Sequence, residues 1–250
     1  MDLWEYTLLS NGTYGLNSKE VYSSPTIGGS GNKNIDLPGY KGNIINGKIE
    51  GKVPQYISTD NGKNFNAVTS MYITFHSYKE LIETPKIPFT VTSMYGTFAE
   101  CTGLEKATNF PGMLETMTSC FYHCKNLKEV VNLPNSIKNM NWSFSLCEQL
   151  EKMSLPSNVE NIVGTFSNCS QLINVPYLPE SIKDMTQAFI NCSNLSGIMT
   201  INCNPQSYAE CFKEAATNTD KFLILNGNSN KIKVISYQSS NTSKIKIDNK

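Results

Sequence analysis

Histidine is scarce in this 250-residue chain, and neither sign of charge is in excess. Only His76 and His123 are present, and no serine or cysteine stands in a known nucleophile motif, so we expect no enzyme. The 21 basic and 21 acidic residues give a formal net charge of zero. Nucleic-acid binding depends on clustered basic residues that neutralise phosphates, so we expect no nucleic-acid partner.

Metal ligands in a suitable arrangement are also lacking. The densest cluster is Cys120, His123 and Cys124, whereas a structural zinc site needs four ligands. Cys124 belongs to a repeated column of the sequence, described below, and His123 lies off that column. We therefore expect neither a metal nor another cofactor.

No apolar run approaches the roughly 18 residues that a membrane-spanning helix requires, so we expect no membrane insertion. A secretory signal peptide would begin with basic residues and a run of about 7 to 15 apolar ones. This chain begins instead with Asp2, Leu3, Trp4 and Glu5. The expectation is a protein that is made in the cytoplasm and not exported by that route; a removed leader remains an alternative.

The sequence does contain one repeated motif: Met, three residues, Phe, two residues, Cys, two residues, Leu. Successive copies recur at a constant step, except that the step from Met140 to Ile162 is one residue shorter than the others. The predicted interior columns are Met71, Met94, Met117, Met140, Ile162 and Met185; Phe75, Phe98, Phe121, Phe144, Phe166, Phe189 and Phe212; Cys101, Cys124, Cys147, Cys169 and Cys192; and Leu81, Leu104, Leu127, Leu150, Leu172 and Leu195. A fixed period of this length is typical of a solenoid.

Five of the eight cysteines occupy that single column, so their side chains should point the same way along a stack of coils. A disulfide needs Cβ atoms that face each other, and an odd number of thiols cannot pair completely. We interpret these cysteines as buried free thiols, which behave as small hydrophobic groups. Folding in a reducing compartment is consistent with this interpretation.

The predicted fold class is mainly β, with short irregular or 3-10 segments and a parallel sheet. A proline in almost every repeat leaves no room for two helices. The period, about 22 to 23 residues, falls within the range of leucine-rich repeats. We place six to seven such coils in 63–220, each with a short strand before its proline, as in Leu127–Pro134 and Leu172–Pro179. An N-terminal β-rich cap or attachment module (1–62) and a C-terminal β cap and tail (221–250) flank the solenoid.

The flanking pieces carry turn signals. Asn-Gly between apolar runs predicts a tight hairpin, and it occurs as Asn11-Gly12 and Asn46-Gly47. The residues 28–31, Gly-Gly-Ser-Gly, indicate a loop or linker. At the other end, Asn226-Gly227 between 222–225 and 231–237 predicts a C-terminal hairpin, followed by a further strand or tail.

Charges give a separate test of the stacking. Their sign alternates from coil to coil in three columns, as it should where opposite charges are neighbours in a stack. The columns are Glu83, Lys106, Glu129 and Lys152; Glu105, Lys128 and Glu151; and Glu115, Lys138, Glu160 and Lys183.

Several phrases resemble the repeats of the BspA-like leucine-rich-repeat family, which occurs on bacterial surfaces. They are the Leu-Pro-x-Ser-Ile phrases of 133–137 and 178–182 and the Phe-to-Leu phrase of 189–195. The resemblance covers roughly Val68 to Tyr208. It implies a non-catalytic protein that binds other proteins or cells, and it supplies no fixed set of functional residues.

Exposed aromatic side chains often anchor protein contacts, and the candidates here are Tyr72, Tyr95, Trp142 and Tyr177. Two functions compete. The first is a structural or receptor-binding component of a phage or phage-tail-like particle, located in the virion, with other particle proteins and a bacterial envelope receptor as partners. The alternative is a BspA-type adhesin at the bacterial cell surface, and a homo-oligomer within an assembly remains open.

Overall fold

The computed structural model describes residues 4–8, 14–18, 44–49, 53, 55–58, 66–175, 177–218, 220–227 and 244–248. Within these residues there are twelve strands and no α-helix, which confirms the predicted mainly-β class. The strands are β1 (Trp4–Leu8), β2 (Tyr14–Ser18), β3 (Ile44–Ile45), β4 (Lys48–Ile49), β5 (Tyr56–Ser58), β6 (Asn66–Ala67), β7 (Lys106–Ala107), β8 (Glu129–Val130), β9 (Tyr177–Leu178), β10 (Gly197–Ile201), β11 (Leu223–Gly227) and β12 (Ile245–Asp248).

The N-terminal strands form a mixed sheet in the order β1-β2-β5-β6. β1 and β2 are antiparallel, with Trp4 opposite Ser18 and Leu8 opposite Tyr14, as the first Asn-Gly signal predicts. The turn Asn11-Gly12 itself, and the glycine-rich residues 28–31, lie outside the described residues. β2 pairs in parallel with β5, which pairs antiparallel with β6 at the entrance to the first coil.

The second predicted hairpin is confirmed and covers part of the first coil. β3 and β4 pair across Asn46 and Gly47, whose φ angles of 49° and 76° are those of a two-residue hairpin turn. The amide N–H of Ile82 donates to the Gly47 carbonyl at 2.8 Å. A Cβ on Gly47 would lie 2.6 Å from the Ile82 side chain, so glycine is required for close approach as well as for φ.

The predicted interior columns are the core of the solenoid. All seven phenylalanines of the Phe column are fully buried, and each ring stacks on the next with centroids 5.3 to 6.1 Å apart. The Met, Cys and Leu columns are equally inaccessible to solvent. Stacked aromatic pairs contribute about 0.5 to 1.5 kcal/mol each beyond the burial of their area. The ring stack therefore holds neighbouring coils in register.

The parallel pairing lies in two places, of which the sequence predicts one. Short strands do occur where expected, in β8 within 127–134 and in β9 within 172–179. The more continuous ladder uses the residue before the Met column. Its seven members pair in turn from coil to coil: Ser70, Ser93, Thr116, Asn139, Asn161, Asp184 and Ser207.

Between the Met and Cys columns the backbone alternates between right- and left-handed residues. Two residues of each coil have φ near +60°, for example Ser119 and His123, or Trp142 and Leu146. In the first six coils the amide N–H groups of both residues donate to the next coil, and that of Trp142 donates to Val163 O at 2.8 Å. The left-handed conformation of a non-glycine residue costs on the order of 1 kcal/mol or more, and the bond to the next coil offsets it.

Side-chain donors of the core also bond between coils. The Sγ of each of the five column cysteines lies 3.0 to 3.2 Å from the Phe carbonyl of the preceding coil. The hydroxyls of Thr97, Ser143 and Thr165 donate to the preceding Met carbonyl at 2.6 to 2.8 Å. The equivalent hydroxyl in the first coil, that of Thr74, is buried without a partner, because no Met coil precedes it.

All eight cysteines are buried free thiols, as predicted for the Cys column. Burial raises the pKa of Cys101 and of Cys169 to about 12 and that of Cys203 to about 11. Each thiol therefore stays protonated in the folded chain at neutral pH.

The C-terminal strands correct one prediction. β9, β10, β11 and β12 form a single parallel sheet in that order. Asn226 and Gly227 lie within β11 and pair with Thr200 and Ile201, so they do not form the predicted hairpin turn. Residues 231–237 lie outside the described residues. Buried Leu223, Leu225 and Ile245 extend the core beyond the last phenylalanine of the stack.

Replacing Phe144 by alanine should lower the free energy of unfolding by about 3 to 5 kcal/mol, since it removes a buried ring from the middle of the stack. Chemical denaturation of the full chain measures this change. Phe89→Ala is the control, because Phe89 is 64% exposed. A loss under about 1 kcal/mol for Phe144→Ala would show that the Phe column is not interior.

Gly164→Ala should cost about 2 to 4 kcal/mol. The added Cβ would meet the Trp142 ring at 2.4 Å, and φ is +57°. Gly112→Ala is the matched control: nothing lies within 4 Å of its Cβ position, so its stability should change little or rise. Equal losses for the two variants would contradict the packing of Trp142 on Gly164. Adding Trp142→Ala to Gly164→Ala removes the clash with the ring. The extra loss of stability caused by Gly164→Ala should then fall to the cost of holding alanine at a φ of +57°.

The buried thiols also predict a loss of stability in alkali. The unfolded chain ionises its thiols near pH 9, whereas the folded chain keeps its protons to higher pH. Stability is therefore fully present below about pH 9 and falls as the pH rises towards 12, by about 1.4 kcal/mol per pH unit for each thiol. Denaturant titrations at several pH values measure this slope. Cys169→Ala should lower the slope by one thiol's share, and an unchanged slope would argue against the effect.

Candidate binding surfaces

Two of the four predicted binding residues form a pair. Tyr72 and Tyr95 follow the Met column in the first and second coils, and they are 50% and 42% exposed. Their rings stack with centroids 5.2 Å apart and planes inclined by 16°. The preceding strand residues, Ser70 and Ser93, are paired in the continuous ladder. The tyrosine pair (Tyr72 and Tyr95) is therefore an exposed aromatic surface with a fixed backbone beneath it.

Ile73 extends this surface. It is β-branched and 46% exposed, yet it has a φ of 46°. Its Cγ2 lies 3.0 Å from where a Cβ of Gly96 would stand, and Gly96 has a φ of 56°, so glycine favours this close approach. A β-branched residue in the left-handed region is unusual and strained.

Trp142 is less available than the sequence suggests. It is half-buried, with its ring lying against the backbone of Gly164 in the next coil. Its packing thus joins the fourth coil to the fifth. Tyr177 is 45% exposed in β9, and among the described residues its ring makes no recorded contact with the tyrosine pair.

Further exposed apolar side chains lie at both ends of the solenoid. Phe89 and Met113 stand beside the prolines of the first and second coils and are 64% and 62% exposed. On the C-terminal sheet, Ile198 is 56% exposed and pairs with Ile224. The Nζ of Lys246 lies 3.5 Å from the centroid of the Phe222 ring, so these two side chains contact each other.

A cleft of about 540 Å³ opens between the third and fourth coils. One wall is formed by 130–133 with Asn135, and the other by 152–156 with Asn174. Its lining is mixed, since Val130, Met153 and Leu155 stand beside Lys152 and the asparagines. The sequence columns give no direct signal for this cleft apart from the single shortened step of the repeat.

The alternating charges form three of the expected ion pairs. Lys106 contacts Glu129 at 3.0 Å, Lys128 contacts Glu105 at 3.4 Å, and Lys183 contacts Glu160 at 2.6 Å. The hydrogen bond from Lys183 lowers the pKa of Glu160. Glu83 contacts Lys48 of the hairpin instead, at 2.7 Å. These three pairs join neighbouring coils of the solenoid.

One contact brings together the residue types of a hydrolytic site. The Ser77 hydroxyl lies 2.9 Å from His76 Nδ1 and donates to Glu100 Oε2 at 3.1 Å. In a catalytic triad the histidine accepts the serine proton and the acid orients the histidine. Here the carboxylate accepts from the serine, which is not the order of contacts in a triad.

No group of three His, Cys, Asp or Glu side chains in the described residues is arranged to hold a metal. Cys120 and Cys124 lie in the core, and burial raises the pKa of both thiols. Across the same part of the chain, no helix has the length and apolar character that crossing a bilayer requires.

Comparison with solved structures shows the same fold elsewhere. A leucine-rich repeat protein of T. pallidum is similar over 95% of this chain and 95% of its own, with 19% identity and a TM-score of 0.56. A leucine-rich cell surface protein of Faecalibacterium prausnitzii A2-165 is similar over 92% of this chain, with 19% identity and a TM-score of 0.55. This chain spans about half of that protein (54%). At such identities the likeness shows the fold alone.

No curated protein matches the sequence significantly. The family model of the BspA type leucine-rich repeat region does match it, with six copies over residues 72–196 and 144–250. These ranges include the predicted repeats from the first coil onwards and continue through the C-terminal parallel sheet. This chain therefore belongs to the BspA type leucine-rich repeat family.

Proposed function

We propose that this protein is a non-catalytic recognition module that binds another protein through the tyrosine pair and the apolar side chains beside it. The stacked contact of Tyr72 and Tyr95 carries the proposal, because two large rings are held in one orientation while about half of each remains exposed. Tyrosine is enriched among the residues that dominate binding energy at protein interfaces. An ordered pair loses little side-chain freedom when it binds.

The solenoid supports this role by separating structure from surface. The Met, Phe, Cys and Leu columns are buried, so substitutions at the exposed positions leave the core intact. Repeat solenoids present extended surfaces of this kind for binding. Phe89 and Met113 are further exposed apolar side chains on the same two coils.

Two settings suit such a module. In the first, the chain is a structural or receptor-binding part of a phage or phage-tail-like particle, where it contacts particle proteins and a bacterial envelope receptor. In the second, it is an adhesin at the bacterial cell surface. The family match and the description of the F. prausnitzii protein as a cell surface protein support the second setting. A homo-oligomer within the assembly is compatible with both.

A binding experiment tests the proposal and separates the settings. The full chain is immobilised and exposed to solubilised bacterial envelope proteins and, separately, to secreted proteins of animal cells. Retained proteins are identified, purified and titrated. A partner from the bacterial envelope supports the particle setting, whereas a secreted animal protein supports the adhesin.

Replacing both tyrosines (Tyr72→Ala with Tyr95→Ala) should weaken binding of that partner at least tenfold, because hot-spot aromatics contribute about 2 kcal/mol or more each. The thermal midpoint should move by only a few degrees, since both rings are half-exposed. Lys125→Ala is the control, an exposed change on another coil that should leave the affinity as it was. Unchanged binding by the double variant would remove the tyrosine pair from the interface.

A further inference from the structure

The cleft between the third and fourth coils lies where the repeat is one residue short. From the Leu column to the following proline there are seven steps in the third coil, Leu127 to Pro134, and six in the fourth, Leu150 to Pro156. Alignment of these two segments places the missing residue between Ser154 and Leu155. In the second and third coils that position holds Asn109 and Asn132, each with a φ of 60°. The fourth coil thus lacks the left-handed asparagine that shapes its neighbour.

The backbone ladder beside the Leu column is broken at the same place. The amide after the Leu column donates to the preceding coil in four cases: Glu105 to Ile82, Lys128 to Glu105, Ile173 to Glu151 and Ser196 to Ile173. The remaining bond of this series, from Glu151 to Lys128, is missing from the hydrogen bonds of the described residues. Lys128 and Glu129 form ion pairs with the second coil, to Glu105 and Lys106, and the described residues hold no ion pair from them to the fourth coil.

The break leaves β8 with one unpaired edge. The amides of Glu129 and Val131 donate to Glu105 and Ala107 of the second coil. That of Val130 lies between them, so it points to the fourth coil, where no described residue accepts it. On the opposite wall, Lys152 pairs with Asn174 of the fifth coil rather than with the third. The cleft is therefore bordered by main-chain groups that a ladder would ordinarily use.

A side chain adds a second observation. Asn174 lines this cleft, and its Oδ1, which is buried from solvent, has no hydrogen-bond partner among the described residues. A buried acceptor without a donor costs on the order of 1 to 3 kcal/mol, and such groups are rare in folded proteins. A donor from a molecule bound in the cleft would satisfy this oxygen.

We propose that this cleft binds a short extended peptide segment of a partner protein. The peptide hydrogen-bonds through its backbone to the open edge of β8, donates one N–H to Asn174 Oδ1 and places an apolar side chain against Val130 and Met153. An exposed strand edge recognises an extended peptide in this way, and a cleft of about 540 Å³ is within the usual size of ligand sites. The proposal rests on the proposed protein-binding role, but it uses a different surface from the tyrosine pair.

The test uses the full chain and a phage-displayed library of random hexapeptides. Peptides are selected on the wild type and counter-selected on a variant with asparagine inserted between Ser154 and Leu155, which restores the full step of the repeat. Selected peptides should bind the wild type and bind the insertion variant at least tenfold more weakly. Amide hydrogen exchange should show that Val130 exchanges rapidly without peptide and more slowly with it.

Asn174→Leu separates binding from folding. It removes the unsatisfied acceptor at similar volume, so the unfolding midpoint should rise while affinity for the selected peptides falls at least fivefold. A purely structural role would move the two measurements in the same direction. The proposal is wrong if no peptide discriminates against the insertion variant, if Val130 stays unprotected, or if the peptides bind Asn174→Leu as tightly as the wild type. The double tyrosine variant should keep peptide binding, so failure here would leave the proposed function standing.

Discussion

The hydrogen bonds between successive coils are the interaction on which the rest of the structure depends. Along each Met-to-Cys segment every second amide donates to the following coil, as those of Met71 and Phe75 do. Amides between them close local turns: Thr74 N–H donates to the Met71 carbonyl, and Tyr78 N–H to that of Phe75. This alternation requires two left-handed residues per coil. The segment therefore behaves as a strand in its bonding along the stack and as a chain of turns within a coil. A complete circuit then fits into the short period that is typical of leucine-rich repeats.

The buried columns follow from that bonding. Because the coils are held one above another at a fixed spacing, identical side chains meet in the interior, and the phenylalanine rings stack with planes within 15° of parallel. The thiols also stack in a column, because each is small enough for the space between coils and contacts the Phe carbonyl of the preceding coil. The Met-Phe-Cys-Leu repeat is thus a packing motif, and burial keeps its thiols protonated.

Periodicity predicts what repeats and says little about what does not. The Phe column and the Asn46-Gly47 hairpin could be predicted, because spacing and turn chemistry determine them. The ladder before the Met column was not evident, since Ser, Thr, Asn and Asp there do not resemble a strand. Two glycines could have indicated features that the columns alone do not predict. Gly96 and Gly164 both have a left-handed backbone, and the Trp142 ring packs against Gly164. The prediction of a hairpin at Asn226-Gly227 was wrong, because pairing with β10 keeps those residues in a parallel strand.

A missing residue can open a site in such a solenoid without loss of the fold, because the contacts between coils are distributed around the circuit. Between the two coils that border the cleft, Phe121 still stacks on Phe144 at 5.4 Å and Thr116 still pairs with Asn139. Across the short step itself, Phe144 stacks on Phe166 at 6.1 Å and Asn139 pairs with Asn161. Only the segment beside the Leu column separates, where the described residues lack the backbone bond from Glu151 to Lys128 and any ion pair between the two coils. Exposed ion pairs contribute about 0 to 1 kcal/mol each. Variation in repeat length therefore creates clefts at low cost in stability, whereas substitution within the buried columns would disturb every neighbouring coil.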